Sequence, residues 1–139
     1  MFNINAHVGV GQRNLLDDVE FSRMAYTAIG RDSLFKIDDA LRATIASLNP
    51  IGPFGPDLDA VIKAHERSRG GAQDGRVSPL PENTAALGGH YDRKHGWIVM
   101  ALNTALRDVY EQQFPRLDLV PGCGASLVQA MRSLFGASS

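Results

Sequence analysis

The sequence predicts an all-α fold, and three observations carry that prediction. Five segments place apolar residues at helical spacing, each segment is bounded by Asn, Pro or Gly where helices start or stop, and no stretch sustains the alternation of a strand. Short extended pairings around Ala6 to Val10 and at Arg76-Val77 are the only exceptions the pattern leaves open.

The first helix is expected to begin at Asn14, with Asp17 three residues on in the manner of a capping box. Leu15, Val19, Ser22, Tyr26 and Ile29 then recur on one face, and Gly30 is placed to end it. The second runs from about Asp38 to Leu48, striped by Ile37, Leu41, Ile45 and Leu48 and stopped by Asn49-Pro50. A turn at Ile51-Gly52-Pro53-Phe54-Gly55 leads to the third helix, whose first position suits Pro56 because that N–H needs no partner within the helix. Leu58, Val61, Ile62 and His65 share its apolar face.

Residues 68 to 89 are rich in Gly, Pro, Ser and Asn and read as a loop with one short helical turn near Glu82 to Leu87. The fourth helix spans about His95 to Gln113, with Ile98, Leu102, Ala105, Leu106 and Val109 inward and Pro115 beyond. After the turn Pro121-Gly122-Cys123-Gly124, a fifth helix runs from a Ser126 cap to Phe135. Its stripe is Leu127, Val128, Met131, Leu134 and Phe135. About ten residues are too few to be helical alone in water, so this stripe must be covered. The turn before it is short enough for a helical hairpin with the fourth helix.

Composition narrows the functions. The 139 residues are 44% apolar, enough for one core, and 14 Lys and Arg stand against 15 Asp and Glu for a net charge of −1. That balance offers no field for nucleic acid or an anionic membrane. No apolar run approaches the roughly 20 residues of a membrane span. Met1 to His7 lack the pattern of a secretory signal, which implies cytoplasmic synthesis and, for any export, a non-Sec route. Cys123, the single cysteine, excludes an internal disulfide and reads as a small half-buried residue in a turn.

Candidate chemistry is sparse. His90, Asp92 and His95 have zinc-ligand character, but glycines flank them and no third histidine is near, so they read as a polar junction and no metal or other cofactor is expected. His65-Glu66 ends an apolar helical face, where a buried histidine satisfied by a backbone carbonyl is the expected arrangement. Asp17-Asp18 and Asp38-Asp39 sit at helix starts and complement the helix dipole there. No serine sits in a nucleophile elbow, and the glycines of Val8 to Gly11 lack the strand and the third glycine of a dinucleotide site. Phe54, Tyr91 and Trp97 suit a sugar or peptide groove, though core packing explains them as well. No catalytic residues are expected.

Three segments, in order, resemble the peptidoglycan-binding-like superfamily of small three-helix modules. Val8-Gly9-Val10-Gly11-Gln12-Arg13-Asn14 leading to Asp18-Val19 is similar to the family's opening. Gly52-Pro53-Phe54-Gly55-Pro56 before Ala60-Val61-Ile62 is similar to its Asp-Gly-x-Phe-Gly-Pro turn, with Ile51 where that turn has Asp and Leu58 where it has Thr. Asp74-Gly75-Arg76-Val77-Ser78-Pro79, with Thr84 and Leu87 beyond, resembles its closing Asp-Gly-Arg-Val-x-Pro turn. The family's Phe-Gln pair falls on His65-Glu66. An alternative alignment sets the Asp-Gly turn at Asp38-Asp39 and makes Gly52 to Pro56 an insertion.

The resemblance covers about residues 8 to 87 and implies an orthogonal three-helix bundle, extended here by a C-terminal helical hairpin. It divides the chain into a module at 1–89 and a helical extension at 90–139 packed on it as one globular unit. It also implies a non-catalytic binding module for cell-wall peptide, of the kind found in bacterial secretion-system effectors and phage lysis enzymes. Its ligand residues would be Phe54, Gly55, Asp74, Gly75 and Arg76, with Arg76 pairing to a peptide carboxylate. The alternative is a cytosolic protein-protein interaction protein, an adaptor, chaperone or immunity-type inhibitor that reuses the bundle. The partner is thus a cell-wall peptide or a protein, with neither nucleic acid nor membrane involved.

Overall fold

The computed structural model describes residues 2–32, 35–70, 73–80 and 98–135. The expected helical turn at Glu82 to Leu87, the cluster His90, Asp92 and His95, and the aromatics Tyr91 and Trp97 lie outside them. The described residues are mostly helical, in five α-helices: α1 (Leu16–Arg31), α2 (Asp39–Ala46), α3 (Pro56–Arg69), α4 (Ile98–Val109) and α5 (Ala125–Phe135). A 3-10 turn at Leu117–Leu119 precedes α5. None of these helices is long and apolar enough to cross a membrane.

α1 is the hub. Val19, Phe21, Ala25, Tyr26, Ala28 and Ile29 are fully covered, because α2, α4 and α5 all pack on it. Its polar residues are spent inside the helix or across it: the Ser22 hydroxyl donates to the Asp18 carbonyl and the Thr27 hydroxyl to that of Arg23. α3 packs on α2, and Leu58, Val61, Ile62 and His65 are buried as their spacing predicts.

Signals confined to a few residues act as read. Asp38 caps α2 by accepting from the Leu41 amide at 2.8 Å. Pro56 opens α3, and Gly70 ends it at a left-handed φ of 73°. Three expected caps are corrected. Asn14 does not cap α1, which follows Leu15; Asn14 takes a φ of 49° and turns back to bond the Gly9 amide and carbonyl, both at 2.8 Å. Gly30 does not end α1 but lies inside it, where a Cβ would stand 2.7 Å from Ile45 Cγ2; its missing side chain lets α2 approach. Ser126 lies within α5, which begins one residue earlier.

The apolar stripe of α5 is narrower than expected. Leu127 and Met131 are buried, but Leu134 is 64% exposed and Phe135 39%, with the Arg116 guanidinium over the Phe135 ring. The helix docks within the chain, yet on α1 and the 3-10 turn, not as a hairpin on α4. The reason is polar. The buried Glu20 of α1 accepts the Leu127 amide at 3.1 Å, and Gly124 comes so close to that carboxylate that no side chain would fit.

Of the segment before α1, the sequence leaves open only a short extended pairing around Ala6 to Val10, and the structure shows more. Phe2, Ile4, Ala6 and Val8 are all buried, at a period of two, so residues 2 to 8 form an extended belt across the core. Asn103 grips the Phe2 backbone from both sides at 2.7 Å, and Asn3 grips that of Leu80 at 2.8 and 3.0 Å. The belt ends in β1 (Val8–Gly9), which pairs antiparallel with β2 (Arg76–Val77), Val8 opposite Val77. The two short extended segments left open by the sequence are therefore partners.

Candidate functional site

Buried charge in this molecule serves mainly to fasten turns. Arg23 of α1, nearly covered, meets Asp57 through two bonds of 2.7 and 2.9 Å and also donates to the Asn49 and Pro53 carbonyls. Asp57 in turn accepts from the Asn49 and Leu58 amides. The Arg23 guanidinium holds the Asp57 carboxyl well below the usual carboxylate range. The whole connection from α2 to α3 is thereby tied to α1.

At the far end of α3, Glu66 accepts the Asp74 amide at 3.0 Å and the Gly75 amide at 2.7 Å. Here burial, then the neighbouring Asp74, pushes Glu66 up to about 7, while Asp74, against the upward push of its own burial, is held down by hydrogen bonds from Glu66 and Arg76. Asp18 plays the same part for the belt, accepting the Asn5 and Ala6 amides. Burial raises it to about 6. Asp18 lies in the first turn of α1, as expected, and in addition serves backbone twelve and thirteen residues away. His65, almost fully buried, is depressed to about 4 by desolvation and by Arg69. Its Nδ1 lies 2.8 Å from the Tyr26 hydroxyl, so a side chain takes the place of the expected backbone carbonyl.

The five expected ligand residues fall in two places. Phe54, partly buried against the core, and Gly55, the residue before α3, lie at its start. Asp74, Gly75 and Arg76 lie beyond its end, fastened through Glu66, about 16 Å along the helix from Gly55. At this second turn Asp74 pairs with Arg76 at 3.2 Å, and the Arg76 side chain is 40% exposed. Gly75 adopts a φ of 72°, and a Cβ on its neighbour Gly9 would fall 2.6 Å from the Gly75 carbonyl oxygen, so both positions suit glycine.

A pocket of about 180 Å³ opens elsewhere, along the outer face of α1. Glu20, Met24, Thr27 and Arg31 form its floor at intervals of three and four residues, as one helix face requires. The turns at Pro50-Ile51 and Pro121-Gly122 wall it, with Tyr110 at one side. Cys123 lies between two lining glycines. Its thiol is pushed up to about 12 by burial and then by the charges of Glu20 and Asp118, which leaves it a poor nucleophile. Among the described residues no group of three or more His, Cys, Asp or Glu is placed to hold a metal ion.

Sequence reading missed this pocket because its walls are the α2–α3 connection and the turn before α5, some seventy residues apart along the chain. The one available signal was the run Glu20, Met24, Thr27, Arg31, a mixed stripe beside the apolar one. Comparison with protein-family models, with curated proteins and with solved structures finds no match to the chain.

Proposed function

We propose that this chain is a non-catalytic binding module of the peptidoglycan-binding-like kind, with cell-wall peptide as its ligand. One observation carries the reading: the three segments that bear the resemblance are turns fastened by side chains. Asn14 holds Gly9 to Gln12, Arg23 and Asp57 hold Asn49 to Asp57, and Glu66 holds Asp74-Gly75. A fixed turn presents its exposed side chain at little cost in ordering, and Arg76, held through its Nε by Asp74 and 40% exposed, offers the rest of its guanidinium to a carboxylate. Buried Asp18, Arg23, His65 and Glu66 meanwhile have structural partners, consistent with a scaffold more than a catalyst.

Sedimentation with purified sacculi tests this. The chain is expected to pellet with them, and Arg76→Ala to reduce the pelleted fraction several-fold without changing the melting temperature by more than a degree or two. A protein that stays in the supernatant rejects the reading. The second reading, a protein-protein interaction protein, draws on the exposed Ile51, Leu119, Leu134 and Phe135. A partner retained from native lysate and lost on Leu134→Asp would favour it.

A further inference from the structure

The α1 pocket has the features of a site for a short peptide, independent of the cell-wall reading and of the turn at Asp74 to Arg76. Glu20 is 7% exposed, and only its Oε2 is used, by the Leu127 amide. Its Oε1 takes no hydrogen bond from any described residue and is not one of the buried unsatisfied oxygens, so a nearly buried carboxylate turns one solvent-reached oxygen to the pocket. Such an oxygen is stabilised by a donor, and a cationic donor suits it best. At the other end Arg31 is exposed and forms no ion pair with any described residue. Met24, Thr27, Tyr110 and Ile51, which is 49% exposed, complete the lining between the two charges.

Eleven residues of helix separate Glu20 from Arg31, about 16 Å along the axis. An extended peptide rises about 3.3 Å per residue, so five residues span that distance. The volume excludes engulfing a larger molecule, since pockets that do so measure roughly 300–1,000 Å³. It suits one or two side chains of a ligand whose backbone runs along the rim. We propose that this groove binds an extended peptide of about five residues, its free terminal ammonium on Glu20 Oε1 and its carboxylate on Arg31. An apolar side chain near the amino end packs on Met24 and Ile51.

The test uses the full chain, labelled with nitrogen-15, and the pentapeptide Ala-Leu-Ala-Ala-Ser with free termini. Saturable shifts are expected at the Thr27 and Leu127 amides, and N-acetylation of the peptide is expected to weaken binding at least tenfold. Glu20→Gln should do likewise. Because that change touches the α5 contact, a second comparison stands without it. Amidation of the peptide carboxylate should weaken binding about threefold in the wild type and have no effect in Arg31→Gln, an exposed position. No shift at 10 mM peptide, equal binding of the acetylated form, or an amidation effect that persists in Arg31→Gln would each overturn the proposal.

Discussion

The two ends of α3 solve the same problem with opposite electrostatics. At its start a glycine-bearing turn is tied down by an ion pair, Arg23 with Asp57, in which the guanidinium also satisfies two carbonyls. At its end a second glycine-bearing turn is tied down by the lone carboxylate of Glu66 on two amides, with Asp74 adding like charge beside it. The first arrangement favours the ionised acid and the second disfavours it. The two turns are therefore expected to answer differently to a lost side chain and to protons.

The largest effect is expected at the start. Arg23→Ala leaves Asp57 and the Asn49 and Pro53 carbonyls without their donor, and should cost about 3 kcal/mol, the lower end for a buried pair because Asp57 is partly exposed. Urea unfolding measures it, and a loss below about 1 kcal/mol would show that the turn holds itself. Arg23→Lys should recover only part, since an ammonium cannot reproduce the two-pronged contact.

The next effect is in the pH dependence, where the two ends should part in sign. Glu66 is raised from an ordinary 4.5 to about 7, so its proton is held more tightly in the folded state. Its contribution is full below 4.5 and lost as pH rises through 7. Asp57 is lowered from 3.8, so its contribution is present above that value and lost on acidification. Wild-type stability relative to Glu66→Gln should therefore fall between pH 5 and pH 8. Relative to Asp57→Asn it should fall between pH 5 and pH 3. Parallel curves for either pair would remove the electrostatic distinction. His65, lowered from 6.5 to about 4, adds a loss with acid between those values, which both members of each pair share.

The smallest effect compares backbones. Gly75 sits at a φ of 72°, where a side chain costs about 1 kcal/mol, whereas Gly55 is extended at −156°, open to any residue. Gly75→Ala should lower stability by about 1 kcal/mol and Gly55→Ala by less than half of that, Asp57 Oδ1 at 3.2 Å being its one close neighbour. Equal losses would place the difference between the turns in their surroundings, not in their conformation.

These turns also mark what the sequence discloses. Asp38 and Pro56 were legible because a cap or a first-turn proline acts within three residues of itself. Asn14 misled because its side chain chose Gly9, five residues back, over the helix ahead. Gly30 carries a stop signal in sequence but answers to Ile45 in space. Glu20, Asp18, Glu66 and Asn103 were invisible as clamps, since nothing local distinguishes a carboxylate or amide that will serve backbone 8 to 107 residues away. The alternation of Phe2, Ile4, Ala6 and Val8 was on the page, but four apolar positions before a strong helix do not outweigh it. Of the candidate site, the turns were legible and the pocket was not, because a pocket belongs to no single segment.

The belt has a consequence for how the chain is made. Phe2 is gripped by Asn103, 101 positions further along the chain. At about 5–20 residues per second, a ribosome needs on the order of 5–20 s to supply that partner after the belt has been synthesised. Asp18 and Asn14, which take the Asn5, Ala6 and Gly9 amides, follow the belt closely in the chain. Its Phe2 end, however, waits through that interval without its clamp, and an alternating apolar segment invites pairing with a neighbouring nascent chain. Asn3, Asn5 and His7, interleaved among its apolar residues, make every second position of the waiting segment polar, which lowers its tendency to pair before its amide clamp is made.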